Sequence, residues 1–258
     1  MKKLSVIVGL VIGISVVFVS CYVYNSKAIR GDGNIITFEK EISSFETVQI
    51  RGGVRVNYHA SNEYRAVVSV DSNLAQYVNI TQRNNRLTIG TKEGSYSFTE
   101  FEVDIYCPFV KEVSVSGSVN FECMDKMVVP TFTFDVSGSG NLNGSFDCNK
   151  FSAHISGSGK INGSVECSDF SVRISGSGGV TVSGTAQNSD INISGSGSFH
   201  GREFKTNTSN SQVSGSGNIH IWVVDYLNAT ISGSGGIIYR GNPKINFSSS
   251  GSGRIKSE

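Results

Sequence analysis

Proline is scarce in this 258-residue sequence, with three residues, and so are methionine, with three, and tryptophan, with one. A disordered or collagen-like chain would need a different composition, so neither class fits. An excess of charge of one sign is lacking too. Lys and Arg total 22 against 21 Asp and Glu, so no single-signed field draws nucleic acid or an acidic surface. The four histidines, His59, His154, His200 and His220, share no ligand spacing, and the five cysteines form no CxxC pair. No metal or cofactor is expected.

Glycine is abundant, with thirty residues, and much of it sits in one phrase. Ser-Gly-Ser-Gly starts at Ser137, Ser156, Ser175, Ser194, Ser214, Ser232 and Ser250, with an imperfect copy at Ser116. The intervals are 21, 19, 19, 19, 20, 18 and 18 residues. Such a period marks a repeat architecture in which each unit buries its apolar face only against its neighbours. The positions five, three and one residues before each serine are mostly apolar, as in Phe151, Ala153 and Ile155, and polar residues stand between them. This period of two describes a strand with one dry and one wet face. Five residues after each serine comes a second column, Leu142, Ile161, Val180, Phe199, Ile219, Ile237 and Ile255, without a polar exception. Between the two strands the glycines let the backbone turn a corner.

No helical pattern of about ten residues fits between successive strands, which excludes a βαβ crossover on length. The expected fold is all-β: a right-handed parallel β-helix of about 19 residues per rung. Rungs stacked roughly 4.8 Å apart would form a rod. Cys123, Cys148 and Cys167 follow similar residues, Phe121-Glu122, Phe146-Asp147 and Val165-Glu166, and are expected to share one interior column as free, buried thiols. A disulfide between the stacked Cys148 and Cys167 fits the Cα spacing of neighbouring rungs.

The N-terminus reads as a leader. Met1-Lys2-Lys3 precedes an apolar run from Leu4 to Val19, and Phe18-Val19-Ser20-Cys21 resembles a bacterial lipobox. Residues 1–20 are then a lipoprotein signal peptide, Cys21 the lipidated residue and residues 21–33 a tether. The alternative is an uncleaved transmembrane segment. Both place the remaining chain outside the cytoplasm.

Residues 34–115 show no visible repeat. Strands are expected over 35–38, 45–51, 54–58, 65–70, 86–89, 101–106 and 113–115, with a helical turn within 72–78. The segment is either an irregular strand-rich cap or a set of early rungs, and 116–258 holds the regular repeats. The order Phe45-x-x-Val48-x-Ile50-x-Gly52-Gly53-Val54-x-Val56, then Leu87-Thr88-Ile89, Val103-Asp104-Ile105-Tyr106-Cys107-Pro108 and the Ser-Gly-Ser-Gly ladder, resembles the head GIN domain family. That family is described as "putative auto-transporter adhesin" and is common in Bacteroidota. The resemblance covers roughly residues 40–255. It implies a right-handed parallel β-helix on a secreted or lipid-anchored protein and no catalytic residue.

Among the side chains themselves, Glu122, Asp147 and Glu166 are the strongest enzymatic candidates. Stacked as one outward column, they suit calcium binding or acid-base work on a polysaccharide, and solvated acids on a rod are the plainer account. Trp222 suits stacking on a sugar if it faces out and core packing if it faces in. The outward Asn, Ser, Thr and Gln suit hydrogen bonding to carbohydrate or protein over a broad flank. The reading is a lipid-anchored outer-membrane adhesin of the cell envelope, not an enzyme. A self-associating structural protein, possible as a homo-oligomer through its last rung, and a polysaccharide-active enzyme are the competing readings.

Overall fold

The computed structural model describes residues 28–258. The expected leader, and Cys21 expected as the lipidation residue, lie outside the described residues. From Glu112 to Ser257 the chain winds through about eight turns of roughly 19 residues, each parallel to the next. Long strands of 16 to 18 residues run from corner to corner: Asn141–Gly157, Lys160–Gly176, Gly179–Gly195, Ser198–Gly215 and Asn218–Gly233. Equivalent residues lie in register, so that Ile155, Ile174 and Ile193 are consecutive partners. Pairing skips one position per turn at Asn149, Ser168 and Gln187.

The two glycines of each corner are required for different reasons. The first adopts φ between +113° and +131° in every copy from Gly117 to Gly251, a region that side chains other than glycine's avoid. The second comes close to the interior: a Cβ on Gly178 would stand 2.7 Å from Ile155 Cγ2 and 2.8 Å from the Gly159 carbonyl. Each corner also ties to the one before it, as where Ser158 donates its N–H to the Gly138 carbonyl at 2.9 Å.

Inside, the apolar columns are almost fully buried, and their phenylalanines form a continuous stack. Phe132, Phe146, Phe151 and Phe170 have successive ring centroids 4.6 to 5.4 Å apart. Where small residues replace the expected apolar ones, at Ser189, Ser209 and Ser211, Phe199 and Phe204 fill the space from the opposite wall, the latter 4.5 Å from Phe170. The buried hydroxyls of Ser209 and Ser211 bond each other at 2.9 Å, which offsets their desolvation.

Cys148 and Cys167 are register partners. Cys123 is not in their column. It pairs with Tyr58, and Gly144 lies against it, because the turn from Ser116 is 21 residues long while Cys123 and Cys148 are 25 apart. Cys107, Cys123, Cys148 and Cys167 are all free thiols.

Residues 34–115 hold both alternatives read from the sequence. Thr47–Gly52 and Arg55–Ala60 form an early turn of the coil: Gly52 is the register partner of Gly117, and Val56 of Phe121. On the other side of this turn lies a second, Arg86–Thr91 with Phe101–Cys107. The turn at 47–60 is thus sandwiched between two segments, 86–107 and 112–123, that follow each other directly in the chain. Antiparallel strands then close this end: Val78–Arg83 on Arg86–Thr91, Arg65–Asp71 on Phe101–Cys107, and Ile35–Glu41 on Arg65–Asp71. The helical turn within 72–78 is a single 3-10 turn, Ala75–Tyr77. The strand Val78–Arg83 escaped the sequence reading because Ile80 is its only buried residue.

Asp71 holds the closed end together. Wholly buried, it accepts N–H groups from Gly33 at 2.9 Å, Thr99 at 2.8 Å and Glu100 at 3.4 Å. Burial pushes its carboxyl up, but these donors outweigh burial and hold it below the usual carboxylate range. Among the described residues no such closure covers the opposite end. Lys244–Gly251 is exposed along its whole length.

Phe170→Ala is expected to lower stability by about 3–5 kcal/mol, read from the denaturant midpoint, whereas Phe247→Ala at the open end costs a fraction of that. Because Asp71 titrates lower in the folded chain than its unfolded value of about 3.9, its contribution is complete above that pH and is lost as pH falls through the native value. The stability difference between the natural chain and Asp71→Asn should therefore shrink as pH falls below about 4.

Candidate binding surface

The outward faces of the strands leading into each corner carry polar columns that register makes continuous. One runs Asp190, Asn210, Asn228, Asn246. Asn210 Nδ2 donates to Asp190 Oδ1, Asn228 Nδ2 to Asn210 Oδ1, and Asn246 Nδ2 to Asn228 Oδ1, each at 2.9 Å. An amide has two donor hydrogens and an oxygen with two lone pairs, and the ladder uses only one hydrogen of each asparagine. Spare donors and acceptors are therefore presented at the spacing of the turns, roughly 4.8 Å.

Beside the start of this ladder lies a shallow cavity of about 400 Å³, lined among others by Lys150, His154, Asp169, Arg173, Asn188 and Asp190. His154 Nδ1 meets Asp135 Oδ1 at 3.0 Å, and Arg173 lies 3.7 Å from Asp190. Both signs of charge are present and half-exposed, so the cavity offers directional hydrogen bonds rather than a net field.

A second groove, of about 470 Å³, opens toward the closed end between the corner residues Gly53, Ser118 and Ser139 and the segment 98–102. Arg55 pairs with Glu102 at 3.1 Å across it. Behind it Asn57 gives both amide hydrogens to carboxylates, to Glu102 Oε1 at 2.7 Å and Asp104 Oδ1 at 3.0 Å, which leaves its buried Oδ1 without a partner. His59 Nε2 meets Asp104 Oδ1 at 2.9 Å, its ring lies on Tyr106 at 4.7 Å, and the Arg65 guanidinium lies 3.8 Å from the Tyr106 ring centre.

The residues singled out in the sequence are not brought together. Asp147 and Glu166 are exposed register partners, and Asp147 is paired with Lys126 at 3.1 Å. Glu122 stands in a different column, between Asn57 and Asn143, for the same spacing reason that separates Cys123 from Cys148. The three acids thus form no common site. Among the described residues no group of three or more His, Cys, Asp or Glu side chains is placed to hold a metal ion. Trp222 belongs to an outer column with Lys205 and Arg240, whose charged groups lie 5.2 Å and 4.2 Å from its ring centre. Cation-π contacts cover this ring rather than leaving it bare for a sugar.

The profile of the family described as "Putative auto-transporter adhesin, head GIN domain" matches residues 44–243. The chain belongs to this family. Its fold is that of a "putative adhesin" from Parabacteroides merdae, at 26% identity and a TM-score of 0.86, and of another from Parabacteroides distasonis, at 25% and 0.86. A "putative lipid binding protein" from Parabacteroides distasonis is similar at 26% and 0.83. Each comparison covers 90% of this chain and all of the other. No protein of curated function matches. The family and these neighbours are described as adhesins or as lipid-binding, not as enzymes, and the family description points to the cell surface.

In this head GIN domain chain, the groove around Arg55 and Asn57 is the feature that sequence reasoning missed. Its partners are 45 to 47 residues apart in a segment without a repeat, so no spacing signals them. Burial pushes the thiols of Cys107 and Cys167 up to about 12 and that of Cys148 up to about 11, and raises that of Cys123 too, so these four are protonated and unreactive at neutral pH. A thiol reagent such as Ellman's is expected to react with these cysteines slowly in the native chain and fully on unfolding, followed by absorbance.

Proposed function

We propose that the protein is a lipid-anchored adhesin of the cell envelope that binds carbohydrate or protein through its polar flank. The observation that carries this reading is the ladder from Asp190 to Asn246, where unused amide donors and acceptors repeat at a fixed interval. A periodic partner, such as a polysaccharide or an extended peptide, meets many weak hydrogen bonds at once, and such bonds gain strength collectively. The family and the adhesin-labelled neighbours support the same class. The lipobox-like run ending at Cys21 supports anchoring and a position outside the cytoplasm, and on this reading the anchor sits in the outer membrane. Each buried lipid methylene adds about 0.8 kcal/mol of attachment, and two chains or more make it stable.

Binding to a glycan array and to intact cells tests the flank. Asn210→Ala with Asn228→Ala should weaken binding about tenfold, roughly 1.4 kcal/mol, without product release. Equal binding by this variant would remove the flank from consideration, and turnover abolished by Asp147→Ala would replace adhesion with catalysis. Palmitate incorporation lost in Cys21→Ala tests the anchor separately.

A further inference from the structure

The two ends of the rod differ in a way that the flank does not explain. At the open end, Ile245 and Phe247 occupy interior columns yet are 39% and 40% exposed, while Leu227 and Ala229 directly behind them are fully buried. The last strand of the adjoining wall, Arg254–Ser257, turns Arg254 and Lys256 outward around the less exposed Ile255. Its far edge has no partner strand among the described residues. At the closed end the outermost strand of that wall is Ile35–Glu41, which pairs on one side only. Its register with Val70, Val68 and Ala66 places Ile36, Phe38 and Lys40 on the interior side, and Thr37, Glu39 and Glu41 on the outer side.

Direction matters as much as composition. Ile35–Glu41 is antiparallel to Arg65–Asp71, which is antiparallel to Phe101–Cys107, and Phe101–Cys107 is parallel to the rest of its wall. The first strand at one end therefore runs the same way as Arg254–Ser257 at the other.

We propose that the open end of one copy stacks on the closed end of the next, with Arg254–Ser257 pairing in parallel with Ile35–Glu41. Ile255 then lies over Phe38 and continues the buried column, and Lys256 stands beside Glu39. The second copy is favoured over other arrangements by charge. Joining two open ends would set Arg254 and Lys256 against themselves, and joining two closed ends would do the same with Glu39 and Glu41, whereas the mixed contact places Lys256 beside Glu39 and leaves beside Glu41 only Glu258, whose charge Arg202 already neutralises at 2.8 Å. On the other wall Lys244–Gly251 meets Val78–Arg83, which among the described residues also pairs on one side only and, being antiparallel to Arg86–Thr91, runs opposite to Lys244–Gly251. The contact is heterologous, so it propagates as a filament instead of closing as a dimer. The proposal is independent of what the flank binds.

Sedimentation velocity and negative-stain microscopy test it, using the full chain in detergent and residues 28–258, which contain the complete core. The expected result is a rod that lengthens with concentration in steps of one molecule and shortens in high salt. Lys256→Glu and Glu39→Lys should each weaken association about tenfold with unchanged circular dichroism. Mixing these two variants should restore it, since each then finds the opposite charge. A monomer at about 100 µM, where contacts weaker than a Kd of that order escape notice, would overturn the proposal. So would a particle that stops at two copies, or association indifferent to Glu39→Lys. Variants that fail to associate even when mixed would also count against the assigned pairing.

Discussion

Parallel, in-register stacking is the constraint on which everything else depends. When each turn lies over the one before, every position becomes a column, and a column must be tolerable to itself. Apolar residues satisfy this condition by packing, asparagines by donating from one amide to the next, and glycines by sharing one backbone conformation. Like charges do not. Most charged columns accordingly mix types, as in Asp135, His154, Arg173 and Asn192, and where two acids do adjoin, at Asp147 and Glu166, Lys126 pairs with Asp147 at 3.1 Å.

The same condition explains how much of the architecture can be read from the letters. Strand, corner and interior columns are legible from Ser116 onward because the interval is nearly constant, and Ile155, Ile174 and Ile193 stack as their spacing requires. The reading of Glu122 with Asp147 and Glu166 failed where the interval is not constant. Similar tripeptides are then a weaker guide than arithmetic: 21 residues separate Ser116 from Ser137, whereas 25 separate Glu122 from Asp147. Before Ser116 the chain visits its turns out of order, so no interval exists to measure. The groove at Arg55 and Asn57 stayed hidden for that reason, and Trp222 because its neighbours Lys205 and Arg240 belong to turns of unequal length.

Surface and interior divide the labour. Packing of the phenylalanine stack is indifferent to what the outer columns carry, since alternate residues point opposite ways along each strand. The identity of the outer columns is thereby decoupled from the corners and interior that hold the fold. A fold held by its corners and interior can host different surfaces, which agrees with neighbours that share this fold under both adhesin and lipid-binding descriptions.

The out-of-order turn at 47–60 has a consequence for how the molecule is made. Its two neighbours are both synthesised after it, so the earliest stable unit needs the chain as far as about Cys123. From there every later segment of roughly 19 residues finds a finished template waiting. Because the chain is synthesised from its N-terminus, this block, contained in the first half of the sequence, is the first template available, and later turns can add to it toward the C-terminus as the chain emerges.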